Sequence, residues 1–186
     1  MNNLADFIKV YDNAIDPAVC KILVEKFERN SAKQILNGKA VREHLPNSQW
    51  TELDIGRFLD KNETDYMIKT MFKYTNQYNV DCNLQPALPE PGSIDQLILK
   101  RYNPNGEDKF ELHFDSLGNV ASRYLVVLWY LNDVEEGGET CFPRLDIKVQ
   151  PKAGRLLIFP PYWLYMHHGN PPISCSKYIA STYYHW

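Results

Sequence analysis

The chain lacks an excess of positive charge. Twenty Lys and Arg stand against 23 Asp and Glu in 186 residues, giving a net charge of −3. Binding to phosphate backbones draws on clustered cations, so nucleic acid is not the expected partner. Cysteine is sparse as well. Cys20, Cys82, Cys141 and Cys175 lie far apart and form no CxxC pair. This argues against a disulfide framework or a thiolate zinc site, and for free thiols in a reducing cytoplasm. Long apolar runs are missing too. The longest, Tyr124–Leu131, is far short of a membrane span. Asp6, Lys9, Asp12 and Asp16 interrupt the N-terminal segment where a signal peptide needs an apolar stretch. There is no internal repeat and no low-complexity tract. At 44% hydrophobic and 23% charged residues, the composition is that of a globular chain, and one domain is expected over 1–186.

Aromatic residues are plentiful at 13%, with 12 Tyr, which favours a β-rich architecture or an aromatic-lined cleft. Residues 1–93 read as a mixed, partly helical support. Asp16-Pro17 signals a helix start, and Val19, Ile22, Leu23 and Phe27 follow at helical spacing. A second helix is expected after Asn62 as N-cap, with Met67, Ile68, Met71, Phe72, Tyr74 and Tyr78 on its apolar stripe. Residues 31–50 read as a hairpin or loop, and Pro86, Pro89 and Pro91 mark 83–93 as an extended connection. From Ile94 onward the chain changes character. Short β-type runs are expected at 94–102, 109–116, 123–131, 139–143, 155–159, 163–168 and 177–185, separated by turn signals such as Asn103-Pro104-Asn105-Gly106 and Glu136-Gly137-Gly138. The expected class is α+β: a jelly-roll core over 94–186 with the N-terminal helices packed outside.

Five histidines are present. His113 and Asp115 sit two apart on an expected strand, so both side chains point to one face. Such a pair can grip one ion, with a third ligand from His167 or His168 on a later strand. Two His and one carboxylate form the facial triad of non-haem Fe(II) oxygenases, which leaves positions open for substrate and O2. The plain alternative is a half-exposed strand with a polar outer face, and His44 and His185 read as ordinary structural histidines. Lys177 lies in a run otherwise made of Tyr, Ile, Ala, Ser and Thr, with Ile179, Ser181 and Tyr183 sharing its parity. If it faces a pocket, it needs an anion there, and a dicarboxylate cosubstrate would supply one.

In these pieces the chain resembles the prolyl 4-hydroxylase-like 2-oxoglutarate- and Fe(II)-dependent dioxygenases. The matching stretches are 100–102 (KRY), 113–115 (HFD), 123–143 (RYLVVLWYLNDVEEGGETCFP), 152–159 (KAGRLLIF), 167–171 (HHGNP) and 177–178 (KY). The opening segment 8–27 is like the first strand and helix of such domains. The resemblance implies a double-stranded β-helix, with iron on His113, Asp115 and His167. His167 is preferred over His168 because the family pattern H-x-G-x-P, with Lys ten residues on, fits it. Lys177 matches the residue that pairs with the distal carboxylate of 2-oxoglutarate. Tyr102 and Thr140, and more weakly Tyr130, match positions that hydrogen-bond the same end. Arg123 and Tyr183 match the substrate cleft.

The implied reagents are Fe(II), 2-oxoglutarate and O2, with ascorbate as a reductant, and the implied products include succinate and CO2. The implied substrate is a prolyl residue in a proline-containing peptide or protein. The alternatives are a free amino acid or small metabolite, a nucleic-acid repair substrate, and a non-catalytic jelly-roll binding module. Three departures bear on the substrate. Phe110 stands where the family has Tyr, the 102–110 segment is about two residues longer, and only seven residues separate Asp115 from Arg123.

Overall fold

The computed structural model describes residues 3–39, 41 and 45–186, so His44 lies outside the described residues. Helix α1 (Pro17–Arg29) starts as its sequence requires. Asp16 accepts from the Ala18 N–H at 2.8 Å, and Pro17 occupies the first turn. Helix α2 (Lys61–Asp81) starts two residues earlier than expected. Asp60, not Asn62, is the N-cap. Asp60 accepts from the Glu63 N–H at 2.9 Å and Glu63 accepts from the Asp60 N–H at 2.7 Å, the reciprocal box that D-x-x-E spells.

Twelve strands occur among the described residues: β1 (Lys9–Tyr11), β2 (Ile35–Gly38), β3 (Gln49–Asp54), β4 (Ser93–Ile94), β5 (Ile98–Tyr102), β6 (Phe110–His113), β7 (Arg123–Tyr130), β8 (Thr140–Phe142), β9 (Ile147–Val149), β10 (Leu156–Phe159), β11 (His167–Gly169) and β12 (Lys177–His185). Pairing is antiparallel throughout. The large sheet runs β1-β10-β7-β12-β5-β3-β2, with β4 on the far end of β12, and the small sheet runs β6-β11-β8-β9. This is the double-stranded β-helix. Three strands from the first 93 residues complete the large sheet, so the N-terminal region supplies sheet as well as helices.

Side-chain parity divides the core into two layers. On β7 and β12, Leu125, Val127, Trp129, Ala180 and Tyr184 face the helices, where they meet Leu23, Phe27, Met71 and Tyr78. Their neighbours Val126, Leu128, Tyr130 and Ile179 face the small sheet and meet Phe142 and Phe159. A strand covered on both faces reads as an unbroken apolar run, which is why 124–131 does. The 31–50 segment contributes the hairpin β2–β3, with Gly38 opposite Gln49. The 163–168 run is not one strand. Trp163–Tyr165 form a 3-10 turn, closed by the Tyr165 N–H on the Tyr162 carbonyl at 2.8 Å, and the strand starts only at His167. Strand β9 escaped the sequence reading because it has only three residues, set off by Asp146 at φ 53°. Gly137 and Gly138, both at φ 74°, turn the chain into β8, and a Cβ on Gly137 would meet the Pro171 carbonyl oxygen at 2.4 Å. Among the described residues no helix is long and apolar enough to cross a membrane.

Candidate active site

The barrel mouth lies where β6 and β11 of the small sheet face β12 and β5 of the large one. Two irregularities shape it. Between β6 and β11 the register shifts, so that His113 pairs with His167 but Phe110 pairs with Gly169. Three steps along β6 answer two along β11, which is a β-bulge, and it turns Phe110 and His113 to the same side. Their rings stack with centroids 3.7 Å apart and planes at 13°. A second shift, between β7 and β12, pairs Tyr184 with Leu125 but His185 with Arg123. It turns Arg123 to the side of the mouth.

Strand β6 ends at His113, and Asp115 is placed by a loop. The N–H groups of Asp115 and Ser116 both donate to the Pro161 carbonyl, at 2.9 and 3.1 Å. His113, Asp115 and His167 thereby converge, with one ligand atom from each lying within 4.8 Å of the others. His113 Nδ1–H donates to the Glu111 carbonyl at 2.7 Å, and His167 Nδ1–H donates to the Tyr165 carbonyl at 3.0 Å. Each ring therefore presents the lone pair of Nε2. These atoms lie 3.5 and 3.4 Å from the two oxygens of Asp115. Asp115 Oδ2 is buried and accepts no hydrogen bond. Lone pairs facing a carboxylate repel, and a cation at the centre would satisfy all three groups. The carbonyls that fix both imidazoles are the outer contacts that metal-ligating histidines use.

Electrostatics agree with the geometry. Burial pushes His167 down to about 4, and the neighbouring His113 adds to this, so the ring is neutral near pH 7. Burial alone would raise Asp115, but His167 and His113 outweigh it and hold the carboxyl below the usual range. The site thus offers the neutral His167 imidazole and an ionised carboxylate, with His113 Nε2 turned to the same carboxylate. His168 points elsewhere. It pairs with Cys141 on β8 and does not join the cluster.

The cavity beside the triangle is lined by Tyr102, Phe110, Thr140, Lys177 and Tyr183, among others. Lys177 is 3% exposed and forms no ion pair among the described residues. Burial lowers it to about 8. A Cβ on Gly169 would stand 3.8 Å from Lys177 Nζ, so the glycine leaves room at the ammonium. Tyr130 hydroxyl donates to Thr140 Oγ1 at 2.7 Å, which leaves the Thr140 proton for another acceptor. Tyr130 itself does not line the cavity; it acts there through Thr140 and through its ring, which lies 5.7 Å from Lys177 Nζ.

Arg123 lies at the mouth rather than in the cavity. Asp95 Oδ2 accepts from its Nε and Nη2 at 2.9 and 2.6 Å, and the guanidinium lies 3.6 Å over the Tyr183 ring. Tyr183 hydroxyl donates to Asp115 Oδ1 at 3.1 Å, so this side chain supports the carboxylate directly. The sequence reading missed Lys100, Phe159 and Asp95. Lys100 and Phe159 line the cavity, and Asp95 holds Arg123. Lys100 was readable from its place two residues before Tyr102 on one strand, whereas Asp95 carried no signal. His185 stands at the rim as a structural contact, with Nδ1 and the Ser122 hydroxyl 2.7 Å apart.

Known proteins resemble this chain in sequence and in fold. The model of the 2OG-Fe(II) oxygenase superfamily matches residues 97–185. The "Putative prolyl 4-hydroxylase" of Acanthamoeba polyphaga mimivirus is 27% identical, over 94% of this chain and 72% of that protein. Among solved structures, the viral collagen prolyl hydroxylase of Paramecium Bursaria Chlorella virus-1 is 20% identical at a TM-score of 0.69, covering 95% of this chain and 94% of that one. A prolyl hydroxylase of Trichoplax adhaerens, solved with a hypoxia inducible factor peptide fragment, is 15% identical at a TM-score of 0.70, covering 97% of this chain and 84% of that one. The structural likenesses speak for the fold alone; in sequence, residues 97–185 match the 2OG-Fe(II) oxygenase superfamily and the chain is similar to prolyl 4-hydroxylases.

Proposed function

We propose that this dioxygenase hydroxylates prolyl residues in a peptide or protein, with Fe(II) held by His113, Asp115 and His167 and 2-oxoglutarate held at its far carboxylate by Lys177. One observation carries the reading. A single cavity has an end that demands a cation and an end that demands an anion, and iron with a dicarboxylate satisfies both. When bound, the iron supplies the oxidation, in which O2 and 2-oxoglutarate are consumed, succinate and CO2 are released, and one oxygen atom passes to the substrate.

The chain's own residues bind and orient. Thr140 donates to the far carboxylate beside Lys177, Tyr130 fixes the Thr140 hydroxyl, and Tyr102 lines the same end. Phe110 and Phe159 keep the imidazoles in a dry, aromatic setting. Arg123 and Tyr183 border the mouth where substrate arrives. Ascorbate as a reductant and a cytoplasmic setting, in keeping with four free thiols, belong to the same proposal.

The primary test is an anaerobic titration of metal-free protein with Fe(II) and 2-oxoglutarate, followed by succinate assays on proline peptides. A visible iron-to-ketoacid charge-transfer band is expected. Its absence in folded protein would defeat the reading. Two substitutions sharpen it. His167→Ala should lose the band and turnover, while His168→Ala should keep both, because His167 Nε2 faces Asp115 and His168 does not join the cluster. The reverse result would reassign the ligand. Tyr183→Phe removes one hydrogen bond to the carboxylate and should weaken Co(II) or Fe(II) binding by about tenfold, as outer contacts to metal ligands do. Unchanged metal affinity would mean that the Tyr183 hydroxyl does not position Asp115.

A further inference from the structure

The large sheet overhangs the small one. The small sheet ends at β6, which meets β3 through the backbone bridge between Lys109 and Gln49 and through the Trp50 and Phe110 rings, 4.5 Å apart. Beyond that bridge the inner face of β5, β3 and β2 continues as an open floor. Its register is continuous, because Ile179 pairs with Lys100, Lys100 with Glu52, and Glu52 with Ile35. Directly paired residues project to the same face. Ile179 belongs to the cavity, so Glu52 and Ile35 lie on the same floor as the metal cluster.

Two hollows occupy this floor. The first is the mouth of the site and includes Asp115, Tyr183, Glu52 and Ile98. The second, of about 390 Å³, shares Glu52 and Ile98 and is walled by Lys33, Ile35, Arg57 and Phe58. The shared residues make them one groove. Three strand spacings separate β12 from β2, about 14 Å, which about four residues of extended chain would span.

Resting on the hydroxylase reading, we infer that this groove takes the flank of an extended peptide substrate, and that it selects an apolar residue followed by an acidic one about four or five positions from the oxidised residue. The chemistry of the walls sets that preference. Ile35 is 58% exposed and stands near Ile98 and Phe58, so an apolar side chain is the fitting occupant. The acids of the floor are already engaged. Glu52 accepts from Asn37 Nδ2 and Trp50 Nε1, both at 2.6 Å, and Asp54 accepts from Arg57 Nε at 2.7 Å. Lys33, 5.5 Å over the Phe58 ring, forms no ion pair among the described residues and is the cation left for an acidic side chain. A free amino acid would fill the mouth and leave the floor bare.

The test measures binding of fluorescein-labelled peptides to the Mn(II)- and 2-oxoglutarate-loaded protein by anisotropy. The probes are a capped Ala-Pro-Gly and nonapeptides that carry Leu-Asp at offsets of three to five residues, on either side of the proline. In one direction the Leu-Asp nonapeptide should bind at least about tenfold more tightly than the tripeptide, as burial of one apolar side chain implies. Ile35→Ser should erase that advantage. Lys33→Glu should shift the preference from Leu-Asp to Leu-Lys. Both residues are surface positions, and the Fe(II)–2-oxoglutarate band of each variant reports an assembled site. Equal binding of long and short peptides, failure of every peptide to bind, or variants that match wild type would overturn the groove while the band still upholds the oxygenase reading. Absence of the band in wild type would overturn both.

Discussion

Asp115→Ala is expected to lose Fe(II) binding by more than about 100-fold and to form no succinate, while the protein stays folded. Loss of an outer contact to a metal ligand costs about 10–100-fold, so loss of the ligand itself should exceed that range. The fold should survive because the loop that carries this carboxylate is held by backbone N–H groups on the Pro161 carbonyl. The carboxylate is buried, and its Oδ2 has no hydrogen-bond partner. The two imidazoles keep their carbonyl partners in its absence. Asp115→Asn makes the sharper control, since it keeps an acceptor for the Tyr183 hydroxyl but removes the charge. Metal titration by calorimetry beside a thermal melt separates the outcomes. A folded Asp115→Ala protein with full turnover would sink the assignment.

The same residues set the response to acid. His167 is held near 4 in the folded protein, against 6.5 for the unperturbed side chain. Between those values the unfolded chain binds the extra proton, so metal-free stability falls as the pH drops from about 6.5 toward 4. Asp115, held below its ordinary range, acts in the same direction at lower pH, because protonation is favoured in the unfolded state. Metal binding needs the unprotonated forms as well, so acid should release metal and loosen the fold together. A melt series from pH 7 to 4, with and without Mn(II), checks this. The metal-dependent rise in melting temperature should shrink on acidification.

Much of this arrangement could be read in the chain, and what could not has a physical reason. The parity of Lys177, Ile179, Ser181 and Tyr183 placed these side chains on one face, because strand geometry alone dictates it, whereas His113 and Asp115 converge although the strand ends at His113 and a loop carries Asp115. Asp16-Pro17 marked a helix start because capping is local chemistry. The two β-bulges were illegible. A bulge is set by the partner strand, and it inverts parity without altering local composition. By alternation Phe110 lies opposite His113; in the structure the rings stack. The hairpin β2–β3 was blurred for a similar reason. Its residues are polar where they meet Glu111 and Asp108 across long sequence separations, as when Asn47 Nδ2 donates to Glu111 at 2.8 Å and Gln49 Nε2 to Asp108 at 2.9 Å. Long-range polar pairing has no period. Asp95 was invisible because its role follows from where Arg123 comes to lie.

Lys177→Met should weaken 2-oxoglutarate binding by roughly 10–150-fold, the worth of a charge-assisted hydrogen bond, and should make the metal-free protein more stable. The two effects share one cause. Methionine keeps most of the buried hydrocarbon of lysine but not the ammonium. Burial lowers Lys177 from 10.5 to about 8, so the charged form is disfavoured inside the fold. Between pH 8 and 10.5 the unfolded chain binds the extra proton, and stability rises with pH through that window. At pH 7 the side chain is charged in both states, and the lowered value corresponds to a cost of about 3 kcal/mol. Removing it should raise the melting temperature of the metal-free protein by about 5–10 °C for a chain of this length. A dicarboxylate offsets the same cost in wild type, so 2-oxoglutarate should stabilise wild type and leave Lys177→Met nearly unmoved. Melts at pH 7 with and without 2-oxoglutarate decide it. A variant less stable than wild type, or one that still gains fully from 2-oxoglutarate, would show that the ammonium has a partner other than the cosubstrate.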